Sequence, residues 1–394
     1  MKDFLKRTWA QIDLDAIEYN FLNIKEKLSD KTKLMCVLKA DAYGHGVKFL
    51  VKKLEKLGVD WYGVSNIEEA IQLRNCDASK PILIFGYTPP ELVPYLYNFH
   101  LSQAVFSYSY AMKLMEVCKE KKIKIKVHLK IDTGMSRIGF LAQNDEDIEK
   151  SLEQISELAV ATKEFYIAGI FTHFSVADDM EHEENYTRGQ FNRFMRLIDK
   201  LESIGVKIPI KHCCNSGATV NFPEMHLDMV RPGGILYGLE PTEEVVSKIN
   251  LRPAMQLKTV ISQVKKIKKG TSVSYGRTFV ANRDMVIASV PIGYADGYFR
   301  NFSNKSSMLV CGERVSVIGK VCMDQCLLDV TSVPGVTDGC VVTVFGTDGD
   351  EKISANELAQ IDNTIDYEIT CLVGKRVTLV YYENGEFIGK FSSI

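Results

Sequence analysis

The chain has 394 residues, of which 46% are hydrophobic and 25% charged, with a formal net charge of −2. This length suits two domains and a core large enough to need no disulfide or metal staple. Both signs of charge are spread along the sequence, which argues against a nucleic-acid or anionic-membrane surface; either would need a clustered basic face.

After Thr8-Trp9-Ala10-Gln11-Ile12, Asp13 can cap a helix in which Leu14, Ile17, Phe21, Ile24 and Leu28 share one face. A strand follows at Leu34–Leu38, then a glycine-containing turn, then a helix through Phe49, Leu50, Leu54 and Leu57. Trp61–Val64 predicts the next strand, Ile67–Leu73 a helix and Pro81–Phe85 a third strand. Ile125–Leu129, Ala168–Phe171 and Ile208–His212 read as buried strands and Leu227–Val230 as a weaker one. Leu152–Leu158 and Phe191–Leu201 read as helices between them. Strands alternating with helices imply a parallel sheet with helices outside it. Seven or eight such units over about 230 residues fit a closed (β/α)8 TIM-type barrel.

The texture changes near Asn250-Leu251-Arg252-Pro253. Beyond it, runs rich in Val, Ile and Thr, such as Val315–Ile318 and Cys340–Phe345, alternate with Gly, Asn and Asp, the pattern of a mainly β domain. Ala355–Ile361 is the one helix expected there. The predicted division is a barrel over residues 12–245 and a β domain over 246–394, joined by the N-terminal residues 1–11. The start has no apolar core of a signal peptide, and no run reaches the roughly 18 apolar residues of a membrane span. The ten cysteines are scattered, as expected for reduced thiols of a cytoplasmic protein. Neither His212-Cys213-Cys214 nor Cys322 with Cys326 has zinc-ligand spacing, so no metal is expected.

Several stretches carry chemistry. In Val37-Leu38-Lys39-Ala40-Asp41-Ala42-Tyr43-Gly44-His45-Gly46, Lys39 sits where a buried strand meets a Gly-rich turn. Barrel enzymes place their reacting groups at that end of the strands. A desolvated amine of lowered pKa there suits covalent attachment to a carbonyl carbon, although the position also describes a common surface lysine. His128-Leu129-Lys130-Ile131-Asp132-Thr133-Gly134-Met135-Ser136-Arg137 brings two cations to the end of another strand. Phe171-Thr172-His173-Phe174 ends a third with a histidine, which elsewhere is often only hydrogen-bonded core. Asn215-Ser216-Gly217-Ala218 opens a helix and exposes backbone N–H groups, a natural phosphate cradle.

Together with Arg231-Pro232-Gly233-Gly234-Ile235, Ser274-Tyr275-Gly276-Arg277, Gly293-Tyr294-Ala295-Asp296-Gly297 and Cys322-Met323-Asp324-Gln325, these stretches resemble the alanine racemases over about residues 8–377. That family is PLP-dependent (PLP, pyridoxal 5′-phosphate). The resemblance implies that Lys39 carries PLP and that Tyr43, Ser216, Gly234, Ile235 and Tyr367 meet its phosphate, with Asn215 beside them. It implies that His173 stacks on the pyridine ring and that Arg231 faces the ring nitrogen. Arg137, Met323, Tyr294 and Asp324 are implied at the substrate, and Lys130 is implied to be carbamylated. Two cations in a dry site repel, whereas a carbamate pairs with the Arg137 guanidinium.

Racemisation needs acid/base groups on opposite faces of one carbon, and the resemblance implies Lys39 and Tyr275. A phenol is a weak base, so a cationic group such as His173 is expected to help it. Tyr275, Tyr294, Met323 and Asp324 are implied to come from a partner subunit, making a homodimer with shared active sites. The implied reaction interconverts L-alanine and D-alanine for peptidoglycan. The alternatives are racemisation of another small amino acid such as serine, a PLP-dependent decarboxylase and a non-catalytic PLP-binding protein. The decarboxylases have a carboxylate where this chain has Arg231, and the binding proteins lack the second domain. The chain departs from the family after Arg376-Val377, where Thr378-Leu379 replace a common Pro-Arg, a tail expected to lie far from the chemistry. Lys320 replaces a common arginine, a change expected at the surface.

Overall fold

In the computed structural model, residues 6–160, 163–240 and 242–392 are described. Residues 1–5 of the expected N-terminal segment lie outside them.

The first strand, β1 (Thr8–Asp13), leads directly into the helix Leu14–Glu26. The Asp13 carboxylate accepts from the N–H groups of Asp15 and Ala16, satisfying donors that have no partner inside the helix. Leu14, Ile17, Phe21 and Ile24 are buried along its inner face.

Eight parallel strands then wind into a barrel. They are β2 (Lys33–Val37), β3 (Trp61–Val64), β4 (Ile82–Ile84), β5 (Leu101–Val105), β6 (Ile125–Asp132), β7 (Phe165–Phe171), β8 (Ile210–His212) and β9 (Met229–Val230). Each from β2 to β7 pairs with the next, and β9 pairs with β2. The last seam, between β8 and β9, is held partly by a side chain. Asp228 N donates to the Lys211 carbonyl at 3.1 Å, while Lys211 N donates to the Asp228 carboxylate at 2.8 Å. The expected TIM-type barrel is therefore present.

The expected strands are found within a few residues of their predicted ends. The strand β5 was not anticipated, because its apolar run is broken by Ser102 and Gln103. Both are buried, and Gln103 is satisfied inside: its amide oxygen accepts from the Thr88 hydroxyl and its amide nitrogen donates to the Gly86 carbonyl. Helices Asp145–Ala159 and Met180–Ser203 are much longer than their apolar periodicity suggested.

The C-terminal part is mainly β, as expected. Its strands are β10 (Met255–Val260), β11 (Gln263–Ile267), β12 (Met285–Val290), β13 (Ser307–Val310), β14 (Glu313–Ile318), β15 (Cys326–Asp329), β16 (Val341–Asp348), β17 (Glu351–Ile353), β18 (Thr378–Glu383) and β19 (Glu386–Phe391). The strand order is β11-β12-β15-β14-β13-β16-β10-β1-β18-β19, with β17 on β16. Thus β1, first in sequence, lies inside this sheet, antiparallel to β10 and parallel to β18. Besides the expected helix, Ala355–Asp362, a second short helix forms at Asp366–Cys371. Among the described residues, no helix is long and apolar enough to cross a membrane.

Asp296 anchors the N-terminal segment to this part. Its side chain is fully buried and accepts from Arg7 at 2.6 Å, from Arg376 at 2.9 Å and from Gly293 N at 3.1 Å. Burial alone would raise its pKa, but Arg7 and Arg376 hold the carboxylate below its ordinary range. Asp296→Ala should therefore cost about 2 kcal/mol at neutral pH, since it removes the charge-assisted hydrogen bonds from Arg7 and Arg376. A depressed carboxyl contributes stability that is lost as pH falls through its folded pKa. Urea unfolding should accordingly show the deficit shrinking in acid; a deficit equal at both pH values contradicts the ion-pair account.

Candidate active site at the barrel mouth

Lys39 follows β2, and the chain then makes a left-handed turn. Ala40, Asp41, Ala42 and Tyr43 have φ of 53°, 50°, 58° and 54°. This conformation disfavours L-residues by about 1–2 kcal/mol each. Three contacts hold the turn. Ala40 N donates to Glu69 at 2.7 Å, Val47 N donates to the Asp41 carboxylate at 2.9 Å, and His45 Nδ1 lies 3.0 and 3.1 Å from the carbonyls of Ala42 and Tyr43. Gly44 closes it with φ 83°, and a Cβ there would lie 2.1 Å from the Thr370 carbonyl oxygen. Strain held by surrounding contacts is characteristic of functional sites. Here it turns Lys39 and Tyr43 toward one cavity.

That cavity measures about 600 Å³, within the range of small-molecule sites. Lys39, Tyr43, Lys130, Arg137, His173, Asn215, Ser216, Arg231, Gly234 and Tyr367 all line it. Ten of the residues singled out in sequence thus converge from separate barrel strands and from the helix Asp366–Cys371. Ile235 does not line it; its side chain is fully buried in the core. One wall is bare backbone: a Cβ on Gly233 would lie 2.4 Å from the Tyr43 hydroxyl, and one on Gly234 would lie 2.4 Å from the Tyr367 ring. Ser216 ties this wall to the helix start, accepting from Gly233 N at 3.0 Å. Asn215 caps the helix, accepting from Ala218 N at 3.0 Å.

The cavity is cationic. Burial, then Arg137, lowers the Lys39 pKa. Burial, then Arg231, lowers that of Lys130 to about 7, against the opposing pull of Asp132. Lys130 Nζ donates to the Ile131 carbonyl at 2.6 Å. His173, expected as a cation that assists Tyr275, is instead neutral. Burial and the charges of Arg231, Lys130, Arg137 and Lys39 push its pKa well below the ordinary value.

Arg231 is fixed from behind. Its guanidinium donates to the carbonyls of Thr172 at 2.8 Å and Cys213 at 3.0 Å, and to His212 Nδ1 at 3.0 Å. A guanidinium can only donate, so His212 Nδ1 accepts and its Nε2 carries the proton. That proton goes to His128 Nδ1 at 3.0 Å, so His128 carries its own proton on Nε2. Burial, then Arg231, lowers the pKa of both rings, to about 3 for His128. This chain of fixed tautomers was missed in sequence. One signal was present: His128 precedes Lys130 by two residues on β6, so both share a face of the strand. Gly169 makes room, since a Cβ there would lie 2.5 Å from His128 Nδ1.

The remaining residues stand apart. Tyr275 (69% exposed), Met323 (53%) and Tyr294 (42%) project from the C-terminal part and do not line the cavity. They belong to one ledge: Tyr294 N donates to the Cys322 carbonyl at 3.1 Å, and Ala295 N to that of Met323 at 3.1 Å. Ser274, next to Tyr275, donates to the Lys320 carbonyl at 2.7 Å. Asp324 is held by Arg376 at 2.6 Å, which also reaches the Met323 carbonyl at 3.4 Å. Arg376, two residues before the departure at Thr378-Leu379, thus braces the ledge. A single chain does not bring ledge and cavity together.

Comparison with known proteins accounts for both halves. Residues 12–241 match the family described as "Alanine racemase, N-terminal domain", and residues 254–381 match "Alanine racemase, C-terminal domain". The chain belongs to the alanine racemase family. It is 42% identical over 385 residues to alanine racemase 1 of Clostridium acetobutylicum, covering 98% of this chain and 97% of that one. The solved alanine racemase of Clostridium difficile superposes with a TM-score of 0.92 at 38% identity, with all of both chains covered. That of Bartonella henselae, solved with covalently bound PLP, superposes with a TM-score of 0.83 at 25% identity, covering 96% of this chain and all of that one. Within the alanine racemase family match, Lys39 and the glycine wall fall in the N-terminal segment and Tyr275 and Met323 in the C-terminal one.

Proposed function

We propose that this protein is a PLP-dependent alanine racemase that works as a homodimer, each active site shared between two subunits. The observation that carries the reading is the cavity itself. A desolvated lysine faces a backbone cradle of two glycines across a wall of cations, where an aldehyde, a phosphate and a carboxylate each find a partner. The Bartonella henselae relative was solved with covalently bound PLP.

The residues fit the cofactor. Lys39 would hold it covalently. Its phosphate would meet Tyr43, Ser216, Tyr367 and the main chain of Gly234 and Ile235, with Asn215 fixing the helix start. His173, neutral and half-buried in the cavity wall, suits stacking on an aromatic ring. Arg231, held by His212, can only donate, so it would leave a ring nitrogen unprotonated. When bound, PLP supplies the electron sink that makes the substrate Cα–H acidic.

This chain's groups do the rest. Arg137 binds the substrate carboxylate, helped by the Met323 N–H of the partner subunit. The partner subunit's Tyr275 takes the Cα proton of L-alanine on one face. Lys39 delivers a proton to the opposite face, giving D-alanine, and the reverse reaction exchanges the roles. The exposed ledge supports the dimer, since it holds the second base and the carboxylate donor but lies outside the chain's own cavity. Tyr294 and Asp324 would then narrow the entrance, favouring a small side chain. A buried Arg231 with donors only disfavours the decarboxylase, whose chemistry keeps a protonated ring nitrogen.

Incubating the PLP-loaded protein with L-alanine and separating the enantiomers by chiral chromatography tests the assignment. D-alanine should grow toward an equal mixture. If only serine is inverted, the racemase is a serine enzyme; if carbon dioxide is released instead, the decarboxylase reading takes over.

Lys130 is proposed to carry a carbamate. A pKa near 7 leaves its amine largely neutral in mildly alkaline solution, which is the form that adds carbon dioxide. The nitrogen forms a bond to carbon and loses a proton, leaving an anion beside Arg137. With carbon-13 bicarbonate, one carbamate resonance should appear and vanish in Lys130→Ala. Its absence at pH 8 contradicts the assignment.

A further inference from the structure

All ten cysteines are free of disulfides, and Cys311 is the one that is exposed. Its neighbour across the sheet is another accessible cysteine. In the antiparallel pair β13–β16, Val310 stands opposite Val342. Cys311 is the residue just after Val310, and Cys340 comes just before Val341, where β16 begins. Both therefore leave adjacent strands at the same end of the sheet. Cys311 has φ 51° and opens the turn into β14. Its thiol donates to Cys340 Sγ. Thr337 N also donates to Cys340 Sγ at 3.4 Å, and the Thr337 hydroxyl lies 3.5 Å from it.

We propose that Cys311 and Cys340 form a surface dithiol that a low-molecular-weight disulfide oxidises reversibly to an intrachain bridge. The two thiols have different roles. Hydrogen bonds from Thr337, and then from Cys311, lower the pKa of Cys340 and favour its thiolate, the nucleophilic form. Burial, then the charge of Cys340, raises that of Cys311, which stays protonated until needed. The Cys340 thiolate attacks one sulfur of the external disulfide, whose S–S bond breaks and releases one thiolate. Cys311 then loses its proton and attacks the Cys340 sulfur, forming the bridge and releasing the second thiolate. Two protein thiols are oxidised, and one external disulfide is reduced to two thiols. The protons pass to the released thiolates.

Neither thiol lines the cavity, so the proposal does not rest on the racemase reading.

The PLP-loaded protein is incubated with oxidised glutathione, free thiols are alkylated, and the digested peptides are weighed. The Cys311 peptide should be joined to the Cys340 peptide, and dithiothreitol should separate them. In Cys311→Ser, glutathione should remain on Cys340 as a stable mixed disulfide. In Cys340→Ser, Cys311 should react about tenfold more slowly, because it lacks thiolate character. The proposal is overturned if both thiols of the wild-type protein are alkylated. It is equally overturned if Cys340 keeps glutathione while Cys311 is alkylated.

Discussion

Lys39→Ala should lower alanine racemisation by about four orders of magnitude, the upper range for removing a positioned acid/base group. The residue is asked to do two things, to hold the cofactor and to move a proton on one face of Cα. Its position favours both. Burial, then Arg137, depresses its pKa, so the neutral amine is populated at lower pH than in a free lysine. The same depression predicts the pH profile. In the direction from D- to L-alanine, Lys39 would act as base once substrate has freed it from the cofactor, and kcat should rise at a pH below the ordinary lysine range. Enantiomer growth measures the proton transfer, and borohydride trapping of labelled PLP measures the attachment. If Lys39→Ala forms D-alanine at a near wild-type rate, Lys39 is not the base. If PLP is trapped elsewhere in the wild-type protein, Lys39 is not the attachment point.

Tyr275→Phe should cost about a thousandfold in both directions, since the hydroxyl would serve the opposite face. The two losses must be equal, because a catalyst leaves the equilibrium unchanged. Isotope exchange separates this role from a structural one. In deuterated water, the variant should still exchange the Cα hydrogen of D-alanine through Lys39 without inverting it. L-alanine should exchange hardly at all. Comparable exchange of both enantiomers sinks the assignment. Complementation tests the shared site. Each inactive homodimer has a defect in every site, but a mixed dimer of Lys39→Ala and Tyr275→Phe has one intact site. Equal mixing with free subunit exchange should restore about a quarter of the activity. Restoration near zero, with exchange demonstrated, places both bases on one chain.

The parts of this protein that could be read from its sequence are those set by local pattern. The strand Trp61–Val64 was legible because both its faces are buried, giving an unbroken apolar run. The first helix was legible from Asp13 and its apolar spacing. Lys39 was legible because it follows such a run and meets a glycine turn, and the accompanying motifs carried the family resemblance. β5 was not, because Gln103 reads as solvent-facing until Thr88 and Gly86 are known to satisfy it.

Tertiary structure decided the rest. The neutral state of His173 comes from burial and then from four cations that the fold gathers around it. The left-handed turn after Lys39 depends on Glu69 and His45, and no local preference of Ala, Asp or Tyr favours it. Arg376 joins the Met323 ledge only because β18 brings it back beside Asp296. β1 belongs to a sheet whose other members begin more than 200 residues later, a pairing no local window contains. Periodicity, capping and turn chemistry act over a few residues and are written in sequence. Hydrogen-bond satisfaction, desolvation and charge coupling depend on what the folded chain places opposite each group.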